Sequence, residues 1–235
     1  MENENGDQEN SALWGNILQA LKGKVQEKQC VYDNTFEVFQ QVKEVLHEQA
    51  NEMNEALQGV DKRVKLEYRD RGQHEAEIRV AGDILVFSMH TNVFQFDRSH
   101  AVWKNPYATQ EEMNTHCGMI SIYNFLTDSF RFNRLDDLGY LIGRIFVNRN
   151  HHYFVEGKRQ LNFPCGDFGK DVISRDIVQQ ITETAIHYAL NFDLLVQPYD
   201  DAKIVSVGQI NNKVEDSKIQ TGKRLGFQFR SDDVA

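Results

Sequence analysis

The sequence predicts an α+β fold: a mainly antiparallel sheet of about five to seven strands with long amphipathic helices packed on it. Three observations carry this. Apolar residues recur at helical spacing from Phe39 to Leu57 and again from Ile173 to Phe192. Between them, side chains alternate with period two from Val64 to Val80, the spacing of a strand with one buried and one wet face. The 235 residues include only three prolines and no Pro/Gly/Ser linker, so residues 11–235 read as a single domain. Residues 1–10 are polar and acidic, and they read as a disordered tail that cannot offset the cost of its own ordering.

The elements follow in order. Phe39, Val42, Leu46, Met53 and Leu57 with charged residues between them predict a helix over residues 35–59. Val64, Leu66 and Tyr68 alternate with Lys65, Glu67 and Arg69, and Ala76, Ile78 and Val80 alternate with Glu75, Glu77 and Arg79. Asp70-Arg71-Gly72-Gln73 separates these runs and supplies the glycine that tight turns favour. Together they predict a hairpin. Ile84-Leu85-Val86-Phe87 is continuously apolar, as in a central strand covered on both faces. Val93, Phe94 and Phe96 extend it or open the next strand. Residues 119–125 and 129–133 predict a second hairpin turning at Thr127-Asp128. Asp136 and Asp137 have the sign that favours a helix start, and a helix is expected over 136–148. Another is expected over 172–196, capped by Asp171. Residues 211–224 read as a mobile loop before a last strand over 225–230.

Formal net charge is −9, which argues against a general nucleic-acid coat. The charge is uneven: residues 1–60 carry 4 Lys/Arg against 11 Asp/Glu, while residues 140–163 carry Arg144, Arg149, Lys158 and Arg159 against Glu156 alone. The acidic start has no apolar h-region, and no run approaches the ~18 apolar residues of a membrane span. Three widely spaced cysteines, Cys30, Cys117 and Cys165, do not form a disulfide framework. A cytoplasmic protein without a membrane segment is the expectation.

Familiar catalytic signatures are missing. His90, His100 and the pair His116-Cys117 lack the closely spaced partners of a zinc site, so no metal is expected. Cys165 would need a base such as His151 or His152 folded against it. Asp167-Phe168-Gly169 matches the magnesium triplet of kinases, but no glycine-rich loop or His-Arg-Asp loop accompanies it. Asp136-Asp137, Asp200-Asp201 and Asp232-Asp233 are adjacent pairs whose side chains diverge, unlike two carboxyls facing one reacting centre. No Walker A loop or G-x-G-x-x-G occurs, and no cofactor is expected.

The strongest local signal is cationic. Arg131, Arg134, Arg144, Arg149, His151, His152, Lys158 and Arg159 are the candidate anion-binding residues, interleaved with Tyr140, Phe146, Tyr153, Phe154 and Phe163. Arginine forks two N–H groups onto phosphate or carboxylate, and aromatics stack on bases. The opposing reading is an amphipathic helix with arginines on its wet face, followed by a strand with buried aromatics. Five residues apart, Arg144 and Arg149 lie about 140° apart on a helix, so they share an anion only if Arg149 lies past the helix end. An exposed Arg149 could then be reversed in charge together with Arg159 at little cost to folding. Two functional expectations follow. The first is a cytoplasmic binding or interaction module without catalysis, holding an anionic ligand, a protein partner or a second copy. The second is an enzyme of unrecognised family acting on a phosphate-bearing substrate.

Overall fold

In the computed structural model, the described residues are 13–135, 137–157, 162–192, 203–204 and 206–208. The fold is α+β. Helix α1 is one continuous run over residues 13–56, made of a short N-terminal stretch, a π-helical turn Leu21–Val25 and the α-helix Gln26–Ala56. The strands are β1 (Leu66–Asp70), β2 (Glu75–Val80), β3 (Asp83–Met89), β4 (Phe94–Gln95), β5 (His116–Leu126), β6 (Tyr140–Asn148) and β7 (Tyr153–Gly157). Short helices α2 (Pro106–Gln110) and α3 (Thr127–Arg131) flank β5, and α4 is Arg175–Leu190. The sheet has seven strands in the order β1-β2-β3-β5-β6-β7, with β4 pairing with β5, and every pairing is antiparallel.

Both long helices cover one face. Val38, Phe39, Val42 and Leu46 of α1 and Val178, Ile181 and Ala185 of α4 pack on Ile78, Leu85, Phe87, Ile120, Ile122 and Ile145. The other face carries a smaller core, Cys117, Phe146, Val102, Ala108 and Phe168, with Phe96 and Phe154 packed against it. Because β3 is covered on both sides, five of its seven residues in a row are buried. The closest approach is between α1 and β5. A Cβ on Gly118 would sit 2.7 Å from Thr35 Cβ and 2.8 Å from its Cγ2. The fully buried Thr35 turns its hydroxyl back to Val31 O at 2.7 Å. Polar ties fix the edges. Lys43 Nζ donates to Asp70 Oδ1 at 3.0 Å and to Gly72 O at 2.5 Å, and Arg175 bridges α4 to Glu44 and Glu48 of α1.

Several expectations are corrected. Residues 140–148 form a strand, not a helix. The register slips between Ile122 and Tyr123: Ile122 faces Gly143 while Tyr123 faces Leu141. This bulge puts Ile142 and Ile145 in the same core, three apart, and that spacing imitates a helix. Residues 127–131 are helical, not the return arm of a hairpin, with Asp128 in the first turn, the sign the helix dipole favours. Helix α4 starts after Ser174, whose side chain accepts from Ile177 N. Asp171 does not cap it, because its carboxylate accepts from Asp167 N at 2.7 Å. Helix α1 begins far earlier than residue 35. The expected tail (1–10), loop (211–224) and last strand (225–230) lie outside the described residues.

Two predictions follow from the packing. Gly118→Ala should lower stability by about 3 kcal/mol or more, since the added methyl overlaps a helix that cannot back away from β5 without opening the core. Chemical denaturation would measure it, and a neutral result would mean α1 sits looser on the sheet. Asp83 is buried at the start of β3, and its Oδ1, Asn124 Oδ1 and Thr127 Oγ1 have no hydrogen-bond partner. Burial pushes its carboxyl up to about 6 from 3.8, with the Asn124 hydrogen bond opposing. A raised folded pKa means that stability is fullest below the unfolded pKa and is lost as pH rises through about 6. Asp83→Asn, which adds a donor beside Asn124, should therefore raise stability at pH 7.5 by on the order of 1–3 kcal/mol and leave it nearly unchanged at pH 4. An equal effect at both values would show that Asp83 does not titrate in this window.

Candidate functional site

The structure distributes the cationic stretch along the sheet. Arg131 and Arg134 follow the last residue of β5, and Arg149, His151 and His152 sit at the β6–β7 turn beside its first residues. Those ends are roughly 35 Å apart along the strand. Arg131 and Arg134 both lie over the Phe132 ring, and Arg134 is buried, 3.9 Å from Asp137. Arg144 lies midway on β6 and is paired with Glu156 directly across on β7. Lys158 and Arg159 lie outside the described residues.

Arg149 is the centre of a knot. Its side chain is 16% exposed, and its guanidinium donates to Glu27 of α1 at 3.0 Å, to Glu111, and to Asn114 Oδ1 at 3.0 Å. The Glu111 hydrogen bond, first, then Glu27 hold it above the usual arginine pKa. Beneath it, the fully buried Asn148 donates to Tyr107 Oη and Asn114 O and accepts from the amides of Asn150 and His152. His152 stacks on Tyr107 at 4.8 Å and bonds Phe168 O. His151 faces Glu37 at 3.4 Å. These groups are joined to one another and link α1, the β6–β7 turn and the segment before β5.

The other reactive side chains are likewise spent on structure. All three cysteines are free. Burial pushes the Cys117 thiol pKa far up, which removes its thiolate at neutral pH. Cys165 Sγ donates to Val155 O at 3.3 Å. His90 and His100 accept from the amides of Asn92 and Val102, which makes them turn caps. Among the described residues no three His, Cys, Asp or Glu gather as a metal site would require.

Exposed apolar side chains occur singly at Leu135, Leu138, Val172 and Leu190, and as a regular run on α1. Leu13, Trp14, Ile17, Leu18, Leu21 and Val25 are all exposed, Trp14 by 64%. Trp14, Leu18 and Leu21 follow one another by four and three residues, the spacing of a seam that meets another helix, and Val25 closes the π-helical turn that begins at Leu21. With Ile17 they form a stripe about 100° wide. The stripe overhangs the sheet by about 20 Å and runs into a groove of about 560 Å³. That groove is lined by Val25, Lys28, Gln29 and Tyr32 of α1 and by Thr91, Asn92 and Val93. Lys22, Lys24 and Lys28 make no ion pair among the described residues. Burial is the main cause that lowers the His116 pKa, and the fields of Lys28 and Lys24 add to it. The groove offers contact area, hydrogen bonds and positive charge. It has no carboxylate, thiol or imidazole with which to move a proton.

No family model matches the chain, no curated protein matches it in sequence, and no solved structure matches it in fold. The stripe was legible as the spacing of its apolar residues, which Gly15 and Gly23 interrupt. The groove was not, because its far wall comes from the β3–β4 connection.

The two framing arginines should differ in their effect on stability. Arg149→Gln should cost about 2–4 kcal/mol, because it leaves Glu27, Glu111 and Asn114 without their shared donor. Arg144→Gln should cost no more than about 1 kcal/mol, because its pair with Glu156 is more than a third exposed on both sides and screened. Equal losses in urea melts would contradict the division between knot and surface pair.

Proposed function

We propose that this protein is an interaction module without catalysis of its own, which docks an apolar, acidic polypeptide segment along the α1 stripe and the adjoining groove. The carrying observation is the stripe: six exposed apolar side chains on one helical segment that nothing described covers. Contiguous exposed apolar surface of this kind marks interaction sites, and a helix read every three to four residues is a recurring docking mode. Lys22, Lys24 and Lys28 beside it, none in an ion pair among the described residues although Lys24 acts on Glu112, favour an acidic occupant. Anion recognition thus moves from the β6–β7 region to α1. The alternative, an enzyme acting on a phosphate-bearing substrate, rests on the cationic–aromatic stretch and the histidines, of which Arg144 and Arg149 already hold carboxylates of their own chain and Lys158 and Arg159 lie outside the described residues.

A photo-reactive benzoylphenylalanine in place of Leu18, with the same group at Val60 as control, tests this in producing cells. The expected result is a discrete covalent polypeptide adduct from position 18 and none from position 60. Irradiation that yields no adduct at position 18 would overturn the docking surface.

A further inference from the structure

We infer that the occupant of the stripe is the α1 overhang of a second copy of this chain, lying antiparallel. This rests on the docking reading above and names its partner. The first support is layer matching. In an antiparallel pair centred between Leu18 and Leu21, Trp14 faces Val25 of the second copy and Leu18 faces its Leu21. Every layer then joins a larger side chain to a smaller one, or leucine to leucine. A parallel pair would stack Trp14 on Trp14 and Val25 on Val25, which gives layers of unequal thickness along one seam.

The second support is charge. Residues 1–10 carry Glu2, Glu4, Asp7 and Glu9 and no Lys or Arg, whereas residues 22–28 carry Lys22, Lys24 and Lys28 against Glu27 alone. Antiparallel pairing directs the acidic end of each sequence toward the lysine-bearing end of the other's stripe. Parallel pairing sets acid against acid and lysine against lysine, which is repulsive. The third support is the overhang itself. Gly15 and Gly23 each weaken a helix by about 1 kcal/mol relative to alanine, and a Cβ at either position would meet nothing within 4 Å. This stretch has little to hold it helical except what packs against the stripe. A membrane surface is the competing occupant of an amphipathic helix. Residues 1–25 carry four acidic residues against two lysines, the wrong sign for an anionic bilayer.

Sedimentation velocity on the purified full chain decides the matter. The expected result is a species of twice 27.3 kDa in the micromolar range. Leu18→Glu with Leu21→Glu should convert it to a monomer that keeps its cooperative unfolding transition, since neither side chain belongs to either core, and that loses only the concentration dependence of its melting temperature. Lys24→Glu with Lys28→Glu should weaken association about tenfold. In a Cys30→Ser, Cys165→Ser background, mixing the Trp14→Cys and Val25→Cys variants should give an intermolecular disulfide that neither gives alone. A monomer throughout, a dimer indifferent to Leu18 and Leu21, or a Trp14→Cys homodimeric disulfide would each overturn the inference. So would flotation of monomer with phosphatidylserine vesicles. A monomer in solution that still gave the position-18 adduct in cells would leave the docking surface standing with a different polypeptide on it.

Discussion

The contact between α1 and β5 at Thr35 and Gly118 sets the depth at which every other element sits. Glycine at this position lets the helix backbone settle closer to the sheet than any side chain would allow, and the threonine that fills the gap consumes its own hydroxyl within the helix. At that depth Phe39, Val42 and Leu46 reach the strands. The ionic ties to β1–β2, to α4 and to the β6–β7 turn all end on α1 as well, through Lys43, through Glu44 and Glu48, and through Glu27. The sheet alone would present a row of apolar side chains, and the helix alone would be a mostly polar rod. Each is stable only against the other, as expected of layered folds.

The two long-range arginine pairs show why the same side chain has different consequences in different places. Arg144 and Glu156 face one another across a wet strand pair and can be exchanged for neutral groups with little loss. Arg149 is drawn inside, where its N–H groups are shared among three acceptors from two distant parts of the chain. Its desolvation is compensated only while all three remain, so it acts as a joint. Asp83 is the opposite case, a buried carboxyl with no cation paired to it among the described residues. The sheet corner it occupies pushes it toward the protonated form near neutral pH.

The N-terminal overhang stands apart from this economy of internal contacts. Its apolar side chains stabilise nothing in the described protein, and its glycines weaken it. That imbalance is the ground of the proposed docking surface.

The sequence by itself determined the class of fold, the β1–β2 hairpin, the buried β3 and the cores of both long helices. In each of those a single periodicity, two or 3.6, runs unbroken over several residues and reports which face is covered. It failed on β6, where the second face is covered only in part, with Phe146 buried but Leu141 and Arg144 open, and a bulge spaces Ile142 and Ile145 like a helix. Periodicity records only the contrast between a dry face and a wet one, and that contrast is blurred there. It listed the cationic residues but could not say that Arg149 would be held by Glu27 and Glu111, 122 and 38 residues away, while Arg131 and Arg134 went to the far end of β5. Residue type fixes what a side chain can bond to. Tertiary structure alone decides which of those partners it meets, because charges distant in sequence are paired by the packing of helix on sheet.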